Sequence, residues 1–124
     1  MATARILLVE DEGLIRLITA EILRDEGFEV VEAWSGDEAA RLLDHAENFD
    51  VVFTDVQMPG TLDGVEVAMH ARRRHPTIPV LVASGYAAQL MSRLGALDPA
   101  AFFVSKPYDL EEIVAVLRCM AVKL

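Results

Sequence analysis

Four short segments carry side chains suited to chemistry, and each directly follows an apolar run. Glu10-Asp11 follows Ile6–Val9, Thr54-Asp55 follows Val51–Phe53, Ser84-Gly85 follows Val80–Ala83, and Ser105-Lys106-Pro107 follows Phe102–Val104. Each group has an ordinary role when taken alone: Asp11 as a helix cap, Asp55 as a turn residue, Ser84 as a partner for local backbone groups, Lys106 as an exposed strand-end lysine. Together they supply three carboxylates, a hydroxyl and an ammonium. Carboxylates gathered without a cation raise one another's pKa and cost stability, so the set implies a hard divalent ion. Mg2+ takes oxygen ligands, keeps several waters and uses one or two carboxylates plus a phosphoryl oxygen. An ionised aspartate beside such an ion can act as a nucleophile toward phosphorus. The transferred phosphoryl group then needs a metal, a lysine and a hydroxyl around it, which Asp55, Lys106 and Ser84 could help to provide.

Those segments meet only if the runs are strands of one sheet. With Phe28–Val31 there are five runs, mostly continuous rather than alternating, as expected of parallel strands covered on both faces. Between them lie apolar stripes at helical spacing: Leu14, Leu17, Ile18 and Ile22; Ala39, Leu42, Leu43 and Ala46; Val65, Ala68 and Met69; Ile113, Val116, Leu117 and Met120. A weaker helix candidate covers Ala87–Leu94. Ser35, Asp63 and Asp109 each precede a glutamate by three residues, as in a capping box, and Gly27 sits where a helix C-terminus is expected. Strand and helix alternate five times, which predicts an α/β fold with a doubly wound, five-stranded parallel sheet in the order 2-1-3-4-5. In such sheets ligands bind beyond the carboxyl ends of the strands, where the four segments lie.

Composition bounds the rest. At 124 residues, 53% hydrophobic and 25% charged, residues 1–124 are expected to form one soluble domain. Eleven Lys and Arg against twenty Asp and Glu give a net charge of −9, which disfavours nucleic-acid binding. No apolar stretch is long enough for a membrane span, and a cytoplasmic location is expected. The lone Cys119 excludes an internal disulfide and two-cysteine metal motifs.

The sequence resembles bacterial two-component response-regulator receiver domains over nearly its whole length, including stand-alone receivers of the CheY type. The matching motifs are Leu7-Leu8-Val9-Glu10-Asp11-Glu12, Thr54-Asp55-Val56-Gln57-Met58-Pro59, Asp63-Gly64, Ala83-Ser84-Gly85-Tyr86 and Lys106-Pro107-Tyr108. The resemblance implies that Asp55 accepts a phosphoryl group. It implies that Glu10, Asp11, Asp55 and the Gln57 main-chain carbonyl hold Mg2+, with Mn2+ able to substitute. Ser84 and Lys106 would bind the phosphoryl group, Ser84 and Phe103 would take part in switching, and Gln57 and Tyr86 would tune phosphoryl lifetime. Three departures stand out: Ser at position 84 where Thr is common, Phe at 103 where Tyr is frequent, and one extra residue between Pro59 and Asp63-Gly64.

The expected function is therefore a phosphoacceptor in a two-component system or phosphorelay. A histidine kinase or histidine phosphotransfer protein would donate to Asp55 and switch protein contacts on the face formed by the 87–94 helix, the fifth strand and the C-terminal helix. The chain is expected to act alone on a downstream protein, as a phosphoacceptor and not a turnover enzyme. A receiver module of a hybrid histidine kinase and a phosphorylation-independent interaction domain are the alternatives. A flavodoxin-like cofactor site is disfavoured because Glu10-Asp11-Glu12 would repel phosphate, and a phosphohydrolase because position 57 is Gln. His45, His70 and His75 show no ligand spacing, and His75 beside Arg72–Arg74 is expected to be solvated. Val114 and Ala121 widen the C-terminal stripe beyond one core face, suggesting a homodimer or docking surface there.

Overall fold

The strands are continuous apolar runs because both of their faces are covered. Along β1 (Arg5–Val9), Leu7 and Val9 enter one core cluster while Ile6 and Leu8 enter the other. The computed structural model describes residues 3–45, 48–58, 60–85 and 101–121. After β1 come α1 (Gly13–Asp25), β2 (Glu29–Ala33), α2 (Gly36–Asp44), β3 (Val51–Asp55), α3 (Gly64–Arg74), β4 (Val80–Ser84), β5 (Ala101–Ser105) and α4 (Leu110–Ala121). All strand pairs are parallel, in the order β2-β1-β3-β4-β5. One core cluster joins the sheet to α2 and α3 through Ala39, Leu43, Val65 and Ala68, and the other joins it to α1 and α4 through Ala20, Leu23, Ile113 and Leu117. The 87–94 helix candidate lies outside the described residues.

Capping follows the sequence signals in part. Asp63 accepts from Glu66 N and Glu66 returns the bond to Asp63 N, a complete capping box. Ser35 accepts from Glu38 N, but the Glu38 carboxylate turns to Arg41 at 2.8 Å. Asp109 caps Glu111 N, two residues on, rather than Glu112. Gly27 takes a φ of 98°, as the turn after α1 requires.

Several expectations are corrected. The stripe Leu14, Leu17, Ile18 faces solvent, at 71%, 50% and 45% exposure, and α1 instead buries Thr19, Ala20 and Leu23. Arg16 and Arg24, eight positions apart on one side of the helix, both pair with Glu32 of β2 and fix its rotation. Met69 is likewise exposed, and Ala71 takes the next buried position of α3. Val114 belongs to the core, while Val116 and the neighbouring Phe102 are exposed. The second strand begins at Glu29, because Phe28 still closes the α1 turn through its N–H to Leu23 O. His75 is half-buried rather than solvated, and His70 joins Arg74 on Asp44, tying α3 to α2 at 2.8 and 2.7 Å.

Candidate phosphorylation site

The sheet brings the predicted groups to one edge. Glu10 continues β1, its N–H donating to Ala33 O of β2, and its side chain is buried. Asp55 ends β3 beside β1 and is 8% exposed. Ser84 ends β4 and is fully buried, and Lys106 follows β5 with its N–H donating to Ser84 O at 2.9 Å. Adjacent parallel strands therefore set the relative positions of all four segments.

Carboxylate oxygens of Glu10, Asp11 and Asp55 lie within 4.8 Å of one another. Lys106 Nζ reaches Asp55 Oδ2 at 2.9 Å. The other oxygen, Asp55 Oδ1, is buried and has no hydrogen-bond partner among the described residues. A buried, unpaired carboxylate oxygen is costly unless something else meets it, so the cluster fits a hard cation. Burial pushes the Glu10 carboxyl up to about 7, opposed by the Glu12 N–H and reinforced by the Asp55 charge and an Asp11 hydrogen bond. Burial alone would lower the Lys106 ammonium, but its hydrogen bond to Asp55 and the charges of Asp55 and Glu10 carry it above the ordinary lysine value.

Local backbone packing sets where Asp55 stands. Gly64 N donates to Val56 O at 2.9 Å, and a Cβ at Gly64 would fall 1.9 Å from Asp55 O. Only glycine allows the start of α3 to press against the end of β3. A Cβ at Gly36 would meet Leu62 O at 2.2 Å, so the start of α2 supports the β3–α3 loop that holds the extra residue. Asp37 Oδ2 accepts from Thr61 N on that loop at 3.4 Å. Gln57 lies on its exposed first part, and Phe103 is half-buried against the α2–α3 core. Tyr86 lies outside the described residues.

Two features escaped residue-type reasoning. Tyr108 packs its ring on Phe53 at 5.9 Å and lines a cleft of about 490 Å³ with Glu10, Ile15, Ile18 and Lys106. Its burial pushes the phenol up. The outward stripe of α1 borders the same cleft, a placement set by helix rotation and not by periodicity.

The fold and this edge define a receiver. The chain belongs to the response regulator receiver domain family, whose model matches residues 6–118. It is 34% identical over 122 residues to the sensor kinase CckA of Brucella abortus (strain 2308), covering 98% of this chain and 13% of that protein. A response regulator receiver protein from Sinorhizobium medicae WSM419 superposes with a TM-score of 0.86 at 28% identity, covering 96% of this chain and 94% of the other. The response regulator TrrA from Thermotoga maritima, solved in complex with Mg(2+)-BeF, gives 0.82 at 29% identity, with 95% and 99% covered. The chain spans from 13% to 55% of the lengths of the curated relatives considered. It is thus a receiver domain of two-component signalling, a family whose members bind Mg2+ at an acidic pocket, and it carries an acidic cluster of Glu10, Asp11 and Asp55. No helix among the described residues is long and apolar enough to cross a membrane.

Proposed function

We propose that Asp55 is the phosphoacceptor, that residues 1–124 form one receiver domain, and that the chain takes its phosphoryl group from a phosphohistidine of a histidine kinase or phosphotransfer protein. The observation that carries this reading is the asymmetry of Asp55: Lys106 holds one carboxylate oxygen while the other is buried with no hydrogen-bond partner among the described residues. Glu10, Asp11, Asp55 and the Gln57 carbonyl would hold Mg2+, or Mn2+ in its place. When bound, the ion supplies positive charge against the phosphoryl oxygens.

The Asp55 carboxylate attacks phosphorus, an O–P bond forms, the N–P bond of the donor breaks, and the imidazole leaves with the bonding pair. Lys106 then moves from the carboxylate to a phosphoryl oxygen, and the Ser84 hydroxyl donates to another. That movement, with Phe103 beside it, biases the face formed by β5 and α4. A downstream protein or a second copy reads that face. The domain is a phosphoacceptor in the cytoplasm, not a turnover enzyme, and binds neither nucleic acid nor membrane itself.

The phosphohistidine partner docks on the outward face of α1. Leu14, Ile15, Leu17 and Ile18 are all at least 40% exposed, and two of them line the cleft that Lys106 and Glu10 share. A partner covering that apolar face also reaches the phosphorylation site. The test is incubation with a small phosphodonor and Mg2+, read by intact mass. One phosphoryl group is expected on the wild type and none on Asp55→Asn; unchanged labelling of the variant would overturn the assignment.

A further inference from the structure

The β1–α1 turn carries two of the three carboxylates, so the backbone there sets where both of them stand. Arg16, in the first turn of α1, reaches back beneath this turn. Its Nη1 donates to the main-chain carbonyl of Glu10 at 3.0 Å, and its Nε donates to Glu32 Oε1 of β2 at 3.3 Å. Its Nη2 lies 3.9 Å from where a side chain at Gly13 would begin. Glu32 is itself anchored: Oε2 meets Arg24 Nη2 at 3.2 Å, and the same nitrogen donates to Val30 O at 2.9 Å. The Arg16 and Glu32 side chains are only 22% and 26% exposed.

We infer that Arg16 is a positioning residue for the metal site, clamping the Glu10 backbone to β2 so that Glu10 and Asp11 hold their carboxylates together before a cation arrives. The inference rests on the reading of the acidic cluster as the Mg2+ site. Three features distinguish this clamp from a generic surface pair. Among the described residues the guanidinium bonds the Glu10 carbonyl and neither Glu10 nor Asp11 carboxylate, so it does not compete with a metal for oxygen. Glu32 balances its charge, which limits repulsion of a divalent ion. The clamp also uses two diverging donors of one planar fork, a geometry that a lysine ammonium on a flexible stem does not preorganise.

The test is calorimetric titration of MgCl2 into the wild type, Arg16→Met, Arg16→Lys and Glu32→Gln, with circular dichroism to establish folding. Loss of an outer support of a metal site weakens binding by about 10-fold or more, the effect expected for Arg16→Met, with smaller losses for the other two. Phosphorylation of Asp55 by a small phosphodonor should recover at saturating Mg2+. Wild-type Mg2+ affinity in folded Arg16→Met overturns the clamp. If Arg16→Met does not fold, wild-type affinity in Glu32→Gln overturns it instead. A labelling rate that stays low at saturating Mg2+ also overturns it, by placing Arg16 in the chemistry itself. Failure of the wild type to bind Mg2+ refutes the metal reading on which the inference rests.

Discussion

The charge coupling between Asp55 and Glu10 predicts a stability signature that needs no phosphoryl group. In the metal-free fold Glu10 is raised from 4.5 to about 7, with burial as the largest cause and the Asp55 charge adding to it. A folded-state pKa above the unfolded one means that folding favours the protonated form. The stability from this group is therefore full below about 4.5 and is lost as pH rises through about 7. A displacement of that size corresponds to about 3 kcal/mol at most, reduced by solvent screening at the site, and the Asp55 charge is a lesser cause than burial, so its part is only a fraction of that. Asp55→Asn removes that charge, so the variant should lose less stability than the wild type between about pH 5 and about pH 8.5. Lys106→Met should act in the opposite sense, because Lys106 lowers Glu10, and should steepen the loss. Urea unfolding with a chelator present at the two pH values measures all three slopes. Parallel pH dependence in the wild type and Asp55→Asn would refute the coupling. So would a flatter profile in Lys106→Met.

Two other perturbations follow from packing. Gly64→Ala places a methyl group against the Asp55 carbonyl and should cost about 3 kcal/mol, whereas Gly27→Ala, with open space but a left-handed backbone, should cost only about 1 kcal/mol; comparing their urea midpoints checks the difference. Leu17→Glu on the outer face of α1 should leave stability within about 0.5 kcal/mol. It should slow phosphoryl transfer from a phosphohistidine protein while leaving labelling by a small phosphodonor unchanged, and equal slowing of both would remove α1 from the docking surface.

Much of this molecule is legible along the chain. Continuous runs such as Ile6–Val9 announce strands buried on both faces, and alternation with helices leaves few parallel topologies open. The groups at the strand ends then converge because adjacent parallel strands place their carboxyl ends along one edge, as Asp55, beside β1, and Lys106 Nζ, 2.9 Å from it, show. Helix faces were less legible. In α1 both Leu14-Leu17-Ile18 and Thr19-Ala20-Leu23 sit at helical spacing, and the larger apolar stripe turned out to face solvent. Val114 differs in the other direction: it is buried, since periodicity does not say how wide a strip of α4 the sheet covers.

The order of residue types by itself determined the elements, their alternation and the set of groups able to hold a cation and a phosphoryl group. Those are properties of local pattern and side-chain chemistry. Only the tertiary structure decided which oxygen of Asp55 has no partner among the described residues, which face of α1 stays exposed, and that Arg16 reaches from α1 to both Glu10 and Glu32. Each depends on the rotation of a helix against the sheet or on backbones meeting across distant segments, as at Gly64 and Asp55, and such distances are set by packing.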